Sequence, residues 1–290
     1  MNTIAQIVLR LYTLISKLPL SWLYIAADVS SWFVSHVRVF PFNELVRKRL
    51  LQAFPEEGED WIRHMETMYY KKVADFGVEF VKFISWNNDD ITNRMHFKNV
   101  ELLKKLLDEY HYVVCYSGHF VNYELFTGLP IQLNHYGMCS FYDDSIQSDF
   151  PLLDCWLRNL RSRFGCNCIP ISSPLKPILQ LHDEIETGKS KLKGFVVGSL
   201  LDTRKRGVNK QTTMIMGEEF PLHYGSEKIG KRIGAAFIYA HIECTVRGQY
   251  EVTLEQLEPD TDGSYMKAYL KALECNIRKQ PFLWLMWGAL

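Results

Sequence analysis

The sequence predicts an α/β fold, a mainly parallel sheet flanked by helices, with a helical segment ahead of it. Three observations carry that expectation. From Tyr112 onward, short apolar runs alternate with amphipathic ones, the texture of strands covered by helices. Residues 41–110 read as helices alone. The first 40 residues are apolar and aromatic but repeatedly interrupted. A chain of 290 residues can bury one large core plus such an appendage. We therefore divide it into an N-terminal helical segment, 1–40, and an αβ domain, 41–290, whose part 41–110 is a helical lead-in.

In chain order, Ile4 to Leu20 is apolar but broken by Arg10, Lys17 and Pro19. Leu18 to Val37 carries Trp22, Tyr24, Trp32 and Phe33, and is about as long as a bilayer crossing requires. Asp28 and the serines make it a poor spanning helix. No small-residue cleavage site follows, so a removable signal peptide is not expected. With Arg38, Arg47, Lys48 and Arg49 just beyond, the segment fits a helix lying in a membrane surface; a buried helical hairpin is the alternative. Helices are expected over 44–53, 58–83 and 100–110, with Asn87-Asn88-Asp89-Asp90 as a solvated turn. Strands are expected over 112–116, 138–142, 168–171, 195–199 and 235–245, with 250–254 as a hairpin partner of the last. Helices over 152–163, 175–187, 227–233 and 263–278 would cover them.

Composition excludes some functions. Lys+Arg 33 against Asp+Glu 33 gives a net charge of +0, so no global field points to nucleic acid. Anionic partners must be met by local clusters such as Arg158, Arg161 and Arg163, or Arg204-Lys205-Arg206. The seven cysteines are scattered and read as reduced thiols, with Cys115 packed in an apolar run. The eight histidines other than His119 show no metal-ligand spacing and read as structural.

His119 stands where the run Val113 to Tyr116 ends, just after Ser117-Gly118, and Glu124 follows five positions later. On an ideal helix that spacing leaves the side chains roughly 140° apart. They can meet only if His119 belongs to the strand-to-helix junction, where Gly118 supplies freedom. A nearby helix N-terminus would keep the imidazole neutral, and Glu124 would hold its other N–H. No G-x-S-x-G frames the pair, so a base acting on a substrate hydroxyl is expected rather than a protein nucleophile. In the bland reading Asp202 pairs with Arg204 or caps a turn, and Trp284 and Trp287 are core or interfacial aromatics.

Ser117 to Leu125, SGHFVNYEL, resembles the His-x4-acid motif of the glycerolipid acyltransferases, and among them the lipid A biosynthesis late acyltransferase family. Leu18-Pro19, Leu23-Tyr24, Asp28, Arg47-Lys48, Phe54-Pro55-Glu56, the tract 69–82 and Arg94 are similar to that family's lead-in. Leu157-Arg158 through Ile169-Pro170, then Leu201-Asp202, then Tyr224 to Ile229 resemble its later blocks, so the likeness covers nearly the whole chain. It implies a bacterial inner-membrane enzyme at the cytoplasmic face, moving an acyl chain from acyl carrier protein or coenzyme A to a hydroxyl of a lipid A precursor or related envelope lipid. By that resemblance His119 is the general base and Glu124 its orienting partner. Arg158, Arg161 or Arg163 would meet substrate phosphate, Asp202 would line the acceptor site, and backbone N–H groups near His119 would receive the oxyanion. No metal or organic cofactor is implied.

Two departures from the family pattern stand out: Ile171-Ser172-Ser173 where an arginine is usual, and an ending, Pro281 to Leu290, without the usual basic residues. They motivate the rival readings, a thioester or lipid hydrolase and a catalytically silent envelope protein.

Overall fold

The computed structural model describes residues 2–37, 41–204 and 211–289. Helices α1 (Asn2–Ile15), α2 (Leu20–His36), α3 (Pro41–Ala53), α4 (Glu59–Phe83) and α5 (Asn88–Arg94) lead into a short strand β1 (Met95–Phe97). Then come α6 (Val100–Tyr110), β2 (Tyr112–Ser117), β3 (Tyr136–Tyr142), α7 (Pro151–Ser162), β4 (Cys166–Pro170), α8 (Leu175–Glu186) and β5 (Gly194–Leu200). The chain continues with β6 (Thr212–Ile215), β7 (Glu218–Pro221), α9 (Gly225–Arg232), β8 (Ala236–Val246), β9 (Gln249–Gln256) and α10 (Met266–Lys279).

Seven strands form one sheet in the order β1-β9-β8-β2-β5-β3-β4. All pairings in it are parallel except the β8–β9 hairpin, which turns at Arg247-Gly248. All six residues of β2 are buried, because a central parallel strand is covered on both faces. To one side of β2 lie β5, β3 and β4, and to the other β8, β9 and β1. Sites in such sheets form beyond the carboxyl ends of the strands where the winding changes direction. Two elements depart from expectation in this region. Asn87 to Asp90 is not a free turn but the capping box that starts α5: Asn87 accepts from the Asp90 N–H and Asp90 from the Asn87 N–H. A separate hairpin, β6–β7, turns at Met216-Gly217, both with positive φ, 52° and 79°, as a tight two-residue hairpin turn requires.

The N-terminal segment is two helices, and α2 packs on α4 through Leu23, Ala27 and Ser31, four residues apart on one face. Its other face is left to solvent: Trp22, Ile25, Val29 and Trp32 are 64%, 63%, 64% and 61% exposed. Among the described residues no helix is long and apolar enough to cross a membrane. Of the basic residues expected to flank this segment, Arg47 is paired with Glu59 and Glu66. Arg49 turns inward to the carbonyls of Trp287 and Ala289 at 3.0 and 2.6 Å. Arg38, the boundary at residue 40, Lys205 and Arg206 lie outside the described residues.

Arg247 locks α2 in place. It bonds Asp28 of α2 at 2.8 Å and the wholly buried Asp75 of α4 at 2.9 Å, and its guanidinium lies 4.1 Å from the Tyr24 ring. Arg247→Met would leave Asp75 with only Lys72, 3.8 Å away. A buried carboxylate that loses its close partner in this way is expected to cost about 3 kcal/mol and several degrees of thermal midpoint. An unchanged melting curve would contradict it.

Candidate active site

The register of β2 with β5 builds the site. Ser117 is paired with Leu200, so the residues two positions past each strand end, His119 and Asp202, are carried to the same place. His119 Nδ1 lies 2.8 Å from Asp202 Oδ1, and the His119 backbone N–H donates to Oδ2 at 2.8 Å. The Trp284 indole N–H donates to the same Oδ2 at 2.7 Å. Asp202 is 0% exposed. Burial by itself would lift its pKa, but the charge of the adjoining imidazolium and the bonds from His119 and Trp284 outweigh it and hold the carboxyl below the ordinary aspartate range. In the neutral ring a carboxylate at Nδ1 can only accept, so that tautomer has its proton on Nδ1 and its lone pair on Nε2.

Gly118 permits this close approach. A Cβ there would lie 2.6 Å from the Leu273 side chain and 3.1 Å from Asp202 Oδ2. The loop is tied on its other side to the C-terminal segment. Val121 donates to the Leu283 carbonyl at 2.9 Å, and Leu285 donates to that of His119 at 2.8 Å.

Glu124 does not touch the histidine ring as expected from the spacing. After Asn122, whose φ is 60°, the chain runs in 3₁₀ turns over Tyr123–Gln132 rather than an α-helix. Glu124 is instead gripped by Arg161, Nε to Oε2 at 2.8 Å and Nη2 to Oε1 at 2.5 Å, a two-pronged pairing that suits a guanidinium. The pair lies inside: Glu124 is buried and Arg161 half-buried.

His119, Glu124 and Arg161 share one cavity of about 1090 Å³, at the upper end of ligand-site volumes. Ser117, Tyr224, Ser226 and Lys228 also line it, as do the apolar or small Cys115, Phe126, Leu129, Met138, Gly198 and Ile229. Cys115 and Gly198 are paired across β2 and β5, two residues before Ser117 and Leu200, so the apolar part lies deeper along the strands. Burial pushes the Cys115 thiol up to about 12, the state of a packing residue and not a nucleophile. All seven cysteines are free thiols.

Other expected site residues are placed elsewhere. Asp202 does not line the cavity; it stands behind His119 as the ring's partner. Arg158 bonds Asp154 at 2.9 Å. Arg163 spends its fork on the carbonyls of Phe83 and Ile84 at the end of α4. Of the three arginines, Arg161 alone lines the cavity. The loop N–H groups expected to receive an oxyanion are engaged, His119 with Asp202, Phe120 with Gly118 and Val121 with Leu283. His223 also lines the cavity; burial lowers its pKa, against a bond to the Thr203 backbone. Among the described residues no three histidine, cysteine or acidic side chains are grouped to hold a metal ion.

Asp202 makes a pH prediction. Its unfolded-state pKa is about 3.9 and its folded value lower, so between them the unfolded chain binds the extra proton and stability rises with pH. The contribution is complete above the unfolded pKa and lost as pH falls through the folded one. The gap in thermal midpoint between wild type and Asp202→Asn should therefore shrink from about pH 6 to about pH 3. A gap constant across that range would count against an ionised Asp202.

The model of the family described as bacterial lipid A biosynthesis acyltransferase matches residues 2–287, nearly the whole chain. No curated protein matches it.

Proposed function

The chain belongs to the bacterial lipid A biosynthesis acyltransferases, and on that premise we propose that it moves a fatty acyl chain from an acyl thioester, on acyl carrier protein or coenzyme A, to a hydroxyl of a lipid A precursor or related envelope lipid. The observation that carries this reading is a histidine whose Nδ1 is fixed on a buried carboxylate while its ring lines a large cavity with an apolar deep end. His119 Nε2 takes the proton of the acceptor hydroxyl, and Asp202 stabilises the imidazolium that results. The alkoxide adds to the thioester carbonyl. Collapse of the tetrahedral intermediate expels the thiolate, which takes the proton back from His119. Arg161 keeps Nη1 beyond its two bonds to Glu124, and that nitrogen is the donor we assign to the oxyanion or to a substrate phosphate. Glu124 then fixes the arginine, not the base. The acyl chain runs over the sheet face past Met138 and Gly198, which line the cavity.

The outer face of α2, with Trp22, Ile25, Val29 and Trp32 at helical spacing, would lie in the membrane surface. This supports a place at the cytoplasmic face of the inner membrane, where the thioester is supplied from one side and the lipid from the other. Replacing Trp22 and Trp32 together by glutamate should weaken binding to lipid vesicles roughly tenfold or more in a flotation assay. Equal partitioning of wild type and variant would argue against that face.

The reaction is tested by incubating the protein with an acyl carrier protein thioester and envelope lipids, and weighing the lipids by mass spectrometry. The expected product is heavier by one acyl chain. His119→Ala should lower the rate by roughly 10³-fold, and Glu124→Ala by roughly 10²-fold through a misplaced Arg161. Free fatty acid without lipid product would mean hydrolysis; lipids identical in wild type and His119→Ala would mean a silent protein.

A further inference from the structure

The chain between His119 and Glu124 turns at Asn122, whose φ of 60° is a left-handed conformation that a residue with a side chain adopts at a cost. Its amide is held. Nδ2 donates to Tyr250 Oη at 2.5 Å and also to Glu79 Oε2. Glu79, on α4 and wholly buried, accepts from Tyr250 at 3.1 Å and from Tyr24 Oη at 2.7 Å. Tyr24 belongs to α2. A continuous run of hydrogen bonds therefore leads from α2, across α4 and β9, to the residue that sets the turn between His119 and Glu124. None of these four side chains lines the cavity. The β8–β9 turn is shaped around the same tyrosine: Gly248 has φ 78°, and a Cβ there would lie 2.2 Å from Tyr24 Oη.

We propose that Asn122 is a positioning residue for His119 and Glu124, and that Tyr24 of α2 holds it in place through Glu79. The kinetic half of its test rests on the acyl-transfer reading above. Buried polar networks fix geometry when every donor and acceptor is filled, and here three donors from three elements converge on one carboxylate. Loosening the far end frees the amide that keeps Asn122 left-handed.

Two variants of the full chain test this. Tyr24→Phe keeps the ring under Arg247 and removes only the hydroxyl. Asn122→Gly permits the left-handed backbone without strain but removes the amide that enforces it. Each is expected to lower kcat about tenfold when assayed well below its thermal midpoint, with KM for the acyl thioester unchanged. The double variant should be no slower than Asn122→Gly alone, since both cut the same connection. A second readout needs no turnover: the rate at which diethyl pyrocarbonate modifies His119, followed by peptide mass spectrometry, should rise several-fold in both variants. Unchanged kcat, effects that multiply in the double variant, or a lowered kcat matched by a raised KM would overturn the proposal. If the wild-type protein transfers no acyl chain, the acyl-transfer reading fails by itself; modification rates equal to wild type would then overturn the positioning role.

Discussion

A carboxylate removed wholly from water has to find its donors inside the protein, and Asp202 finds them in two distant parts of the chain. The ring and backbone of His119 come from the end of β2, and the indole of Trp284 from the C-terminal segment. Take away either source and a buried charge is left short of partners, at a cost of several kcal/mol. The arrangement of the site follows from this. Gly118 must be small, β2 and β5 must run side by side in register, and the segment around Trp284 must cross back over the loop. Arg161 and Glu124 satisfy one another within the same cavity and so add a second charged pair without competing for the first.

Much of the fold was legible because its elements announce themselves locally. The runs at Tyr112, Phe195 and Ala235 are apolar and short, and the structure has strands there, at β2, β5 and β8. What escaped was either too short to show a period or written in a less common form. Met95–Phe97 has three residues and is a strand only because β9 lies beside it. The start of α5 does carry a signal, Asn87 and Asp90 three apart, but as the Asn/Asp version of a capping box it reads as a polar turn. The β6–β7 turn places a methionine where asparagine or glycine would have been recognised.

The site divides in the same way. His119 was legible from its place after a strand and before a change in texture, and the resemblance along the chain added weight to it. Its partner was not, because spacing along the chain shows neighbours in sequence while Asp202 is a neighbour across the sheet. Glu124 was the acid in view, yet the left-handed turn at Asn122 and the 3₁₀ path beyond it lead that side chain to Arg161. Register between β2 and β5, once available, would have paired His119 with Asp202 by counting two residues past each strand end. The burial of Trp284, expected of a core aromatic, left its N–H as the clue: a buried indole donor looks for an acceptor.

The crossing of the C-terminal segment over the His119 loop also has a meaning in time. Leu283, Trp284 and Leu285 supply bonds that the loop and Asp202 need, and they follow every strand of the sheet in chain order. A ribosome-bound chain that has completed every strand of the sheet still lacks the indole behind the histidine. Helices α1 and α2 precede the sheet and are made well before that. Synthesis of the sheet and completion of the hydrogen bonds to Asp202 are thus separate events for each molecule, in that order.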